Sequence, residues 1–337
     1  MYRLNEDGKV YKDLLKKYLE SNDKTYLNEA KKMSVSFVSR NVYPEDIFKL
    51  HKDAISSICV GVDDVHHKSL EFLLEALIAY QNAQEEYEKL KLEQLELKSE
   101  IQIAANMQKT FLKTEIPHIE GLDIGAISVP YHQLNGDYMH FVETDDGSLR
   151  VAIADVIGKG IPAALAMSMI KYAIDSFYED DMSPKTILRK LNRVVEKNVT
   201  SNMFITMFYG QYYPCSSIFR FASAGHEPGF IFRAKEKKFV EINAKGLVLG
   251  VLKNTHYNQY ETKIEKGDMI ILLTDGVTEC RTGNRFIKRE EVLEVIEQYA
   301  HLPAQQHVEK VYMHFNDFNQ YELKDDFTLI IIKKLDQ

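Results

Sequence analysis

Cysteine is scarce in this 337-residue chain, and long apolar runs are missing. Cys59, Cys215 and Cys280 lie far apart and show no C-x-x-C spacing, which excludes a disulfide framework and a cysteine-based zinc site and points to a reducing compartment. No stretch approaches 18 consecutive apolar residues, and the opening MYRLNEDGKVYKDLLKK has no apolar leader core. Neither a membrane span nor a signal peptide is expected, so the sequence reads as a soluble, cytoplasmic protein. A basic excess is also missing: the net charge of −8 disfavours nucleic acid or an anionic membrane as the main partner and leaves proteins as the expected ones. Glycine and proline are nearly absent from one third of the chain. Residues 1–116 hold only Gly8, Pro44 and Gly61, and all the others fall from Pro117 onward. What is present is a 45% hydrophobic content, enough for a substantial core in one large or two modest domains.

The glycine-poor third is expected to be helical. Leu14, Leu15, Tyr18 and Leu19 share one helical face; Ala30, Met33 and Phe37 share a second; Ile47, Leu50, Ala54 and Ile58 share a third. Pro44 and Gly61 mark breaks, and a fourth helix starts near Asp64 and meets no Gly or Pro before Pro117. Along its second half Ala83, Tyr87, Leu90, Gln94, Leu97, Ile101, Ala104, Gln108 and Phe111 recur at alternating fours and threes, the spacing of a heptad seam. Two readings stay open for that seam: an amphipathic helix packed on its own domain, or a modest dimer contact weakened by Gln94 and Gln108. The domains expected are a helical bundle over 1–82, a linker helix over 83–116, and a strand-rich domain over 117–337.

The strand-rich part centres on VAIADVIGKGIPAA, residues 151–164: an apolar strand ending on Asp155, a turn through Gly158 and Gly160, and a helix opened by Pro162. The Gly-Lys-Gly turn lacks the G-x-x-x-x-G-K-[ST] spacing of a phosphate loop. Asp155 could simply open a βα turn. Its company suggests more, because Asp137 in NGDYMHF, Asp275 in LLTDGVTE, and Asp325 with Asp326 in LKDDFTLIII also adjoin apolar runs. Strand-end carboxylates without His or Cys partners form a hard-oxygen site suited to Mg²⁺ or Mn²⁺. Many short strands, LDIGAISV, DYMHFVE, LRVAIAD, FITMFYGQYY, IFRFASAG, GFIFR, KFVEI, MIILLT and FTLIIIK, with helices across 161–178, 184–199 and near 290–316, argue an α+β fold.

NGDYMHF, ADVIGKGIPAALAMSMIKYA, MFITMFYG, ASAGHEPGF, AKGLVLG, KGDMIILLTDGVTEC and DDFTLIII, in this order between about Asp123 and Ile332, resemble the SpoIIE-type branch of the metal-dependent PPM protein phosphatases. The likeness extends upstream through LKSEIQIAANMQKTFL and is greatest to members that switch on a general stress response. It implies a PPM-type sandwich of two antiparallel sheets flanked by helices, with two Mn²⁺ or Mg²⁺ ions at the cleft between them. It further implies that Asp155 bridges the ions with the Val156 carbonyl as a further ligand, that Asp275 and Asp325 complete one ion, and that Asp137 serves the other. Either Asp325 or Asp326 could be the ligand on residue type; the family pattern favours Asp325. Where the family often has two glycines before the Asp of the 137 motif, Asn135 precedes Gly136 here, a departure expected to alter loop flexibility more than metal binding.

The implied reaction is hydrolysis of a phosphoserine, with two divalent ions lowering the pKa of a shared water and holding phosphate oxygens. The implied substrate is an anti-sigma-factor antagonist, and the implied activator a kinase-like switch protein bound by the N-terminal bundle of a homodimer. His226 is a candidate acid or supporting group near the site and equally a structural turn residue; Lys159 could touch phosphate or be a solvated lysine; Cys280 is expected to be a buried spectator. The alternatives are a catalytically silent phosphatase-like scaffold, against which the complete Asp quartet counts, and a diguanylate-type cyclase, for which no GGDEF-like run is present.

Overall fold

Apolar periodicity in the glycine-poor third resolves into helices α1 (Tyr2–Ser21), α2 (Lys24–Ser39), α3 (Pro44–Ile58) and α4 (Asp63–Phe111). The computed structural model describes residues 2–58, 63–158, 160–177, 182–199, 203–282, 285–316 and 323–335; Cys59, Gly61 and Lys159 lie outside them. Two compact units are present, Met1–Ser99 and Glu100–Gln337, dividing inside the segment read from sequence as a linker.

In the first unit the expected faces turn inward. Leu15, Tyr18, Ala30 and Ala54 bury with Phe72 of α4, and Phe37 and Ile47 with Leu73. The α1–α2 turn carries neither Gly nor Pro. Asn22 takes a left-handed φ of 54°, which Asn tolerates, and the Asp23 carboxylate caps α2 by accepting the Thr25 N–H at 2.9 Å. Inside the bundle His51 bonds Tyr11 Oη at 3.1 Å and Ser69 Oγ at 2.7 Å, a buried polar line with no periodic signature.

The seam on α4 behaves differently along its length. In the first unit Tyr87, Leu90 and Leu97 are 49%, 57% and 55% exposed. In the second unit Ile101 and Ala104 pack with Ala105, Leu134 and Ala164, and Gln108 is buried. Gln108 is therefore not a polar position that loosens a dimer seam. Its amide donates to the Asn135 carbonyl at 2.7 Å and accepts the Asn135 N–H at 3.0 Å.

The second unit is α+β, as expected, with two antiparallel five-stranded sheets. The strands in chain order are β1 (Leu122–Val129), β2 (Asp137–Glu143), β3 (Leu149–Ile157), β4 (Phe204–Tyr213), β5 (Ile218–Ala224), β6 (Gly229–Arg233), β7 (Lys238–Ile242), β8 (Tyr260–Lys263), β9 (Met269–Leu273), β10 (Arg281–Thr282), β11 (Arg285–Phe286) and β12 (Phe327–Lys334). One sheet has the order β1-β12-β9-β6-β7, the other β2-β3-β4-β5-β8, and β10 with β11 forms a separate hairpin. The helices are α5 (Ile161–Ser176), α6 (Pro184–Asn198), α7 (Asp275–Thr278), α8 (Arg289–Gln298) and α9 (Ala304–Phe315).

Strand alternation explains the layering. Val151 and Ile153 of β3 join Ile231, Ile270 and Ile330 in the core between the sheets, while Ala152 and Ala154 face outward to Met167, Ile170, Leu188 and Leu191 of α5 and α6. On the far side Ile271, Leu329 and Ile331 meet Val292, Ile296, Val308 and Val311 of α8 and α9. With both faces covered, these strands read as nearly unbroken apolar runs. The elements not anticipated, β8, α7 and the β10–β11 hairpin, are short and polar or lie at an edge.

Candidate metal centre

Strand register brings the carboxylates together. Asp137 opens β2 and pairs directly with Asp155 on β3, and partners across an antiparallel pair point to the same face, here toward the other sheet. β3 runs two residues past Asp155, to Ile157. From the opposite sheet, Asp275 starts α7 just after β9, and Asp325 and Asp326 immediately precede β12, the neighbour of β9. Gly276 permits that approach, since a Cβ there would overlap the Asp326 main chain. The Asp-Gly pair is thus a close-contact requirement as well as a turn signal. A cleft of about 730 Å³ results, lined by Gly136, Asp155, Val156, Asp275, Asp325 and Asp326 among others.

The donor set fits hard cations. A Cβ added to Gly136 would lie 3.2 Å from Asp326 Oδ2, 3.6 Å from Asp155 Oδ1 and 3.7 Å from the Val156 carbonyl oxygen, so these oxygens gather around one space beside Gly136. Burial, and then the charges of Asp275, Asp325 and Asp326, push the Asp155 carboxyl up to about 7. Burial, followed by Asp325, Glu279 and Glu227, pushes Asp275 up to about 6. Carboxylates crowded in this way are relieved by a divalent cation, and an all-oxygen set suits Mg²⁺ or Mn²⁺. Among the described residues no three His, Cys, Asp or Glu side chains converge as a ready-made cage.

The predicted residues divide by what their side chains touch. Asp155, Val156, Asp275 and Asp325 line the cleft. Asp137 is 2% exposed; its Oδ2 accepts the Thr274 hydroxyl proton at 2.7 Å, and the neighbouring Thr328 side chain also favours its charged form. Burial raises its pKa well above the ordinary value against the lowering effect of these two threonines, and it lines a neighbouring pocket of about 510 Å³ instead. Asp326 also reaches the cleft, yet both its oxygens are engaged: Oδ1 accepts the Tyr131 N–H at 2.7 Å and Oδ2 the Gly136 N–H at 2.5 Å. His226 bonds Thr206 Oγ1 at 2.8 Å, and Thr206 pairs with Asp155 across β3 and β4. Burial holds His226 down at about 4, which favours the neutral imidazole at neutral pH, and its bond to Thr206 ties it to the strand beside Asp155. Cys280 is fully buried among Val277, Ile287 and Val292.

Sequence reading missed Gln108, Ser128 and Thr274, which bond to the Asp137 loop or carboxylate, and Thr328, which joins Ser128 to Thr274. Hydroxyl and amide side chains inside apolar strands carry no motif, and their partners are far away in the chain. Asn135 was noticed only as a departure from a glycine pair, but the structure shows a pinned loop: its Nδ2 donates to Ser128 Oγ and its Oδ1 accepts the Asp137 N–H, each at 2.9 Å.

A family model described as Stage II sporulation protein E (SpoIIE) matches residues 145–335, and one for the N-terminal domain of phosphoserine phosphatase RsbU matches residues 9–83. Phosphoserine phosphatase RsbU of Bacillus subtilis (strain 168) is 47% identical over 325 residues, 96% of each chain. This chain belongs to the RsbU family of SpoIIE-type phosphatases. It is accordingly an enzyme of the phosphoserine phosphatase class. Two solved structures share the fold of this RsbU-family chain. The SiaA-PP2C domain of Pseudomonas aeruginosa aligns at a TM-score of 0.60 with 17% identity, covering 73% of this chain and 98% of that one. The RsbU and RsbW domains of a Mycobacterium tuberculosis protein align at 0.57 with 22% identity, covering 65% and 63%. No helix among the described residues is long and apolar enough to cross a membrane.

Proposed function

We propose that this RsbU-family enzyme removes phosphate from a phosphoserine on an anti-sigma-factor antagonist by a two-metal mechanism, in the cytoplasm, and so turns on a stress sigma factor. The reaction class is supported by 47% identity along nearly the whole chain to a phosphoserine phosphatase. The mechanism rests on the facing oxygens of Asp155 and Val156 in a cleft shared with Asp275 and Asp325. Asp155 would bridge two Mn²⁺ or Mg²⁺ ions with the Val156 carbonyl as a further ligand, Asp275 and Asp325 would complete one, and Asp137 would serve the other. Bound there, the ions supply a water nucleophile near neutral pH and neutralise charge on the phosphoryl oxygens.

The rest is positioning. Gly136 keeps the floor of the cleft open, Asp326 holds the Tyr131 and Gly136 main chain, and Thr274 fixes Asp137. A kinase-like switch protein is the proposed activator, bound by the N-terminal unit of a homodimer. The match of residues 9–83 to an RsbU N-terminal domain and the exposed Tyr87, Leu90 and Leu97 of α4 support it. A silent scaffold is disfavoured, because carboxylates held well above their ordinary pKa destabilise the fold at neutral pH and a docking surface needs none of them. The test is phosphate release from the serine-phosphorylated antagonist with Mn²⁺, with Mg²⁺, and after chelation. Release is expected with a divalent ion and not after chelation; none under any condition would overturn the proposal.

A further inference from the structure

The hydrogen bonds around Asn135 have only one consistent direction. The Asp137 main-chain N–H can only donate, so Asn135 presents Oδ1 to it and Nδ2 to Ser128. Ser128 Oγ, accepting from that amide, also hydrogen-bonds Thr328 Oγ1 at 2.9 Å, where either hydroxyl can donate. Thr328 lies beside the Asp137 carboxylate and favours its charged form. Thr274 Oγ1 accepts the Thr328 N–H at 3.2 Å and donates to Asp137 Oδ2. The side chain of Asn135 is thus joined through Ser128, Thr328 and Thr274 to the Asp137 carboxylate. Asn135 also holds the loop by its main chain, through the two bonds to Gln108.

We propose that the Asn135 side chain is a positioning residue for the metal site: it aims Asp137 twice, through the Asp137 N–H and through the Ser128–Thr328–Thr274 chain that ends on the Asp137 carboxylate. The inference rests on the reading of Asp137 as a metal-site carboxylate. Its chemistry is that of an outer partner orienting a ligand, whose loss typically lowers metal affinity 10–100-fold. Both arms must act together, because the N–H bond sets where the Asp137 backbone enters β2 and the hydroxyl chain sets which way its carboxylate turns.

The experiment uses the full chain. Mn²⁺ binding is measured by titration calorimetry, and kcat and KM are measured on a phosphorylated substrate, for wild type, Asn135→Ala, Asn135→Ser, Ser128→Ala and the double variant Asn135→Ala/Ser128→Ala. Asn192→Ala is the control, because Asn192 is a buried amide away from the cleft that likewise bonds main chain through both side-chain atoms, the Leu252 carbonyl and the Gly250 N–H. We expect Asn135→Ala to bind Mn²⁺ about 10-fold or more weakly with kcat falling more than KM changes. Asn135→Ser, which keeps a short acceptor for the Asp137 N–H, should recover part of both. Ser128→Ala should shift affinity in the same direction, and the double variant should lose less than the two single losses combined. Asn192→Ala should lower the melting temperature and leave Mn²⁺ affinity unchanged. Wild-type Mn²⁺ affinity and kcat in both Asn135→Ala and Ser128→Ala, with wild type active, would overturn the proposal alone. Absence of Mn²⁺ uptake by wild type would remove the metal reading and the proposal with it.

Discussion

Asp155 and its neighbours are ionisable groups held where charge is costly, and that gives substitution a sign. With its carboxyl raised to about 7 by burial and by Asp275, Asp325 and Asp326, Asp155 destabilises the metal-free fold at neutral pH. Asp155→Asn should abolish turnover while leaving the metal-free melting temperature equal or higher; near-normal turnover at saturating Mn²⁺ would contradict the two-metal reading. Asp325→Asn should also lose turnover without losing melting temperature. For Asp326→Asn the two main-chain bonds set the sign instead. An amide offers one oxygen where two N–H groups need acceptors, a loss of about 1–3 kcal/mol, read as a lower melting temperature than Asp325→Asn; equal melting of the two variants would count against the clasp. Far from the cleft, His307 is fully buried and donates from Nε2 to the Ile296 carbonyl at 2.7 Å. Burial lowers its pKa from 6.5 to about 4, so the unfolded chain takes up the proton first. Its stabilising contribution is complete above about pH 6.5 and falls as pH drops toward 4, by on the order of 3 kcal/mol in all. His307→Gln should therefore flatten the fall of melting temperature between pH 6.5 and pH 4.5; parallel curves would refute the assignment.

Helix α4 shows how far an apolar period can be read. The fours and threes from Ala83 to Phe111 mark a stripe that meets Leu134 and Ala164 at Ile101 and Ala104 and solvent at Leu90, Leu97 and Phe111. Period alone cannot say which part has an intramolecular partner, because a leucine facing a neighbouring helix and one facing a loop leave the same spacing. Leu97→Pro tests whether the exposed stretch transmits activation. Proline in a helix interior costs ~3 kcal/mol or more, so we expect stimulated turnover to fall to the basal level while activator affinity and basal turnover persist. Full stimulation in a variant with demonstrably reduced helicity would direct attention to contact between activator and the catalytic unit. The α1–α2 turn was illegible for a different reason: it is made by Asn22 and Asp23, residues whose capping use is settled only by the backbone they adopt.

For the molecule as a whole, division into units has an independent physical basis. The buried residues of α1, α2 and α3 close on Phe72 and Leu73, and Tyr80 Oη donates to the Val42 carbonyl at 2.9 Å, so the helical core is complete by about residue 82. The isolated 1–82 segment should show helical circular dichroism and a cooperative melt; a random-coil spectrum would mean the bundle needs more of the chain. Composition was sufficient to separate a helical third from a strand-rich remainder, since glycine and proline act locally on backbone freedom, and alternation was sufficient for most strands because burial on one or both faces leaves its mark residue by residue. The Asp quartet was legible too, each member standing beside an apolar run. Which carboxylate faces the cleft and which one clasps a loop was not. The Asp326 bond to Gly136 joins residues 190 apart, and the Thr274 bond to Asp137 joins residues 137 apart. Such pairs exist only once β12 lies between β1 and β9 and the two sheets stack, so side chains that look alike in sequence take different work from the neighbours that stacking assigns them.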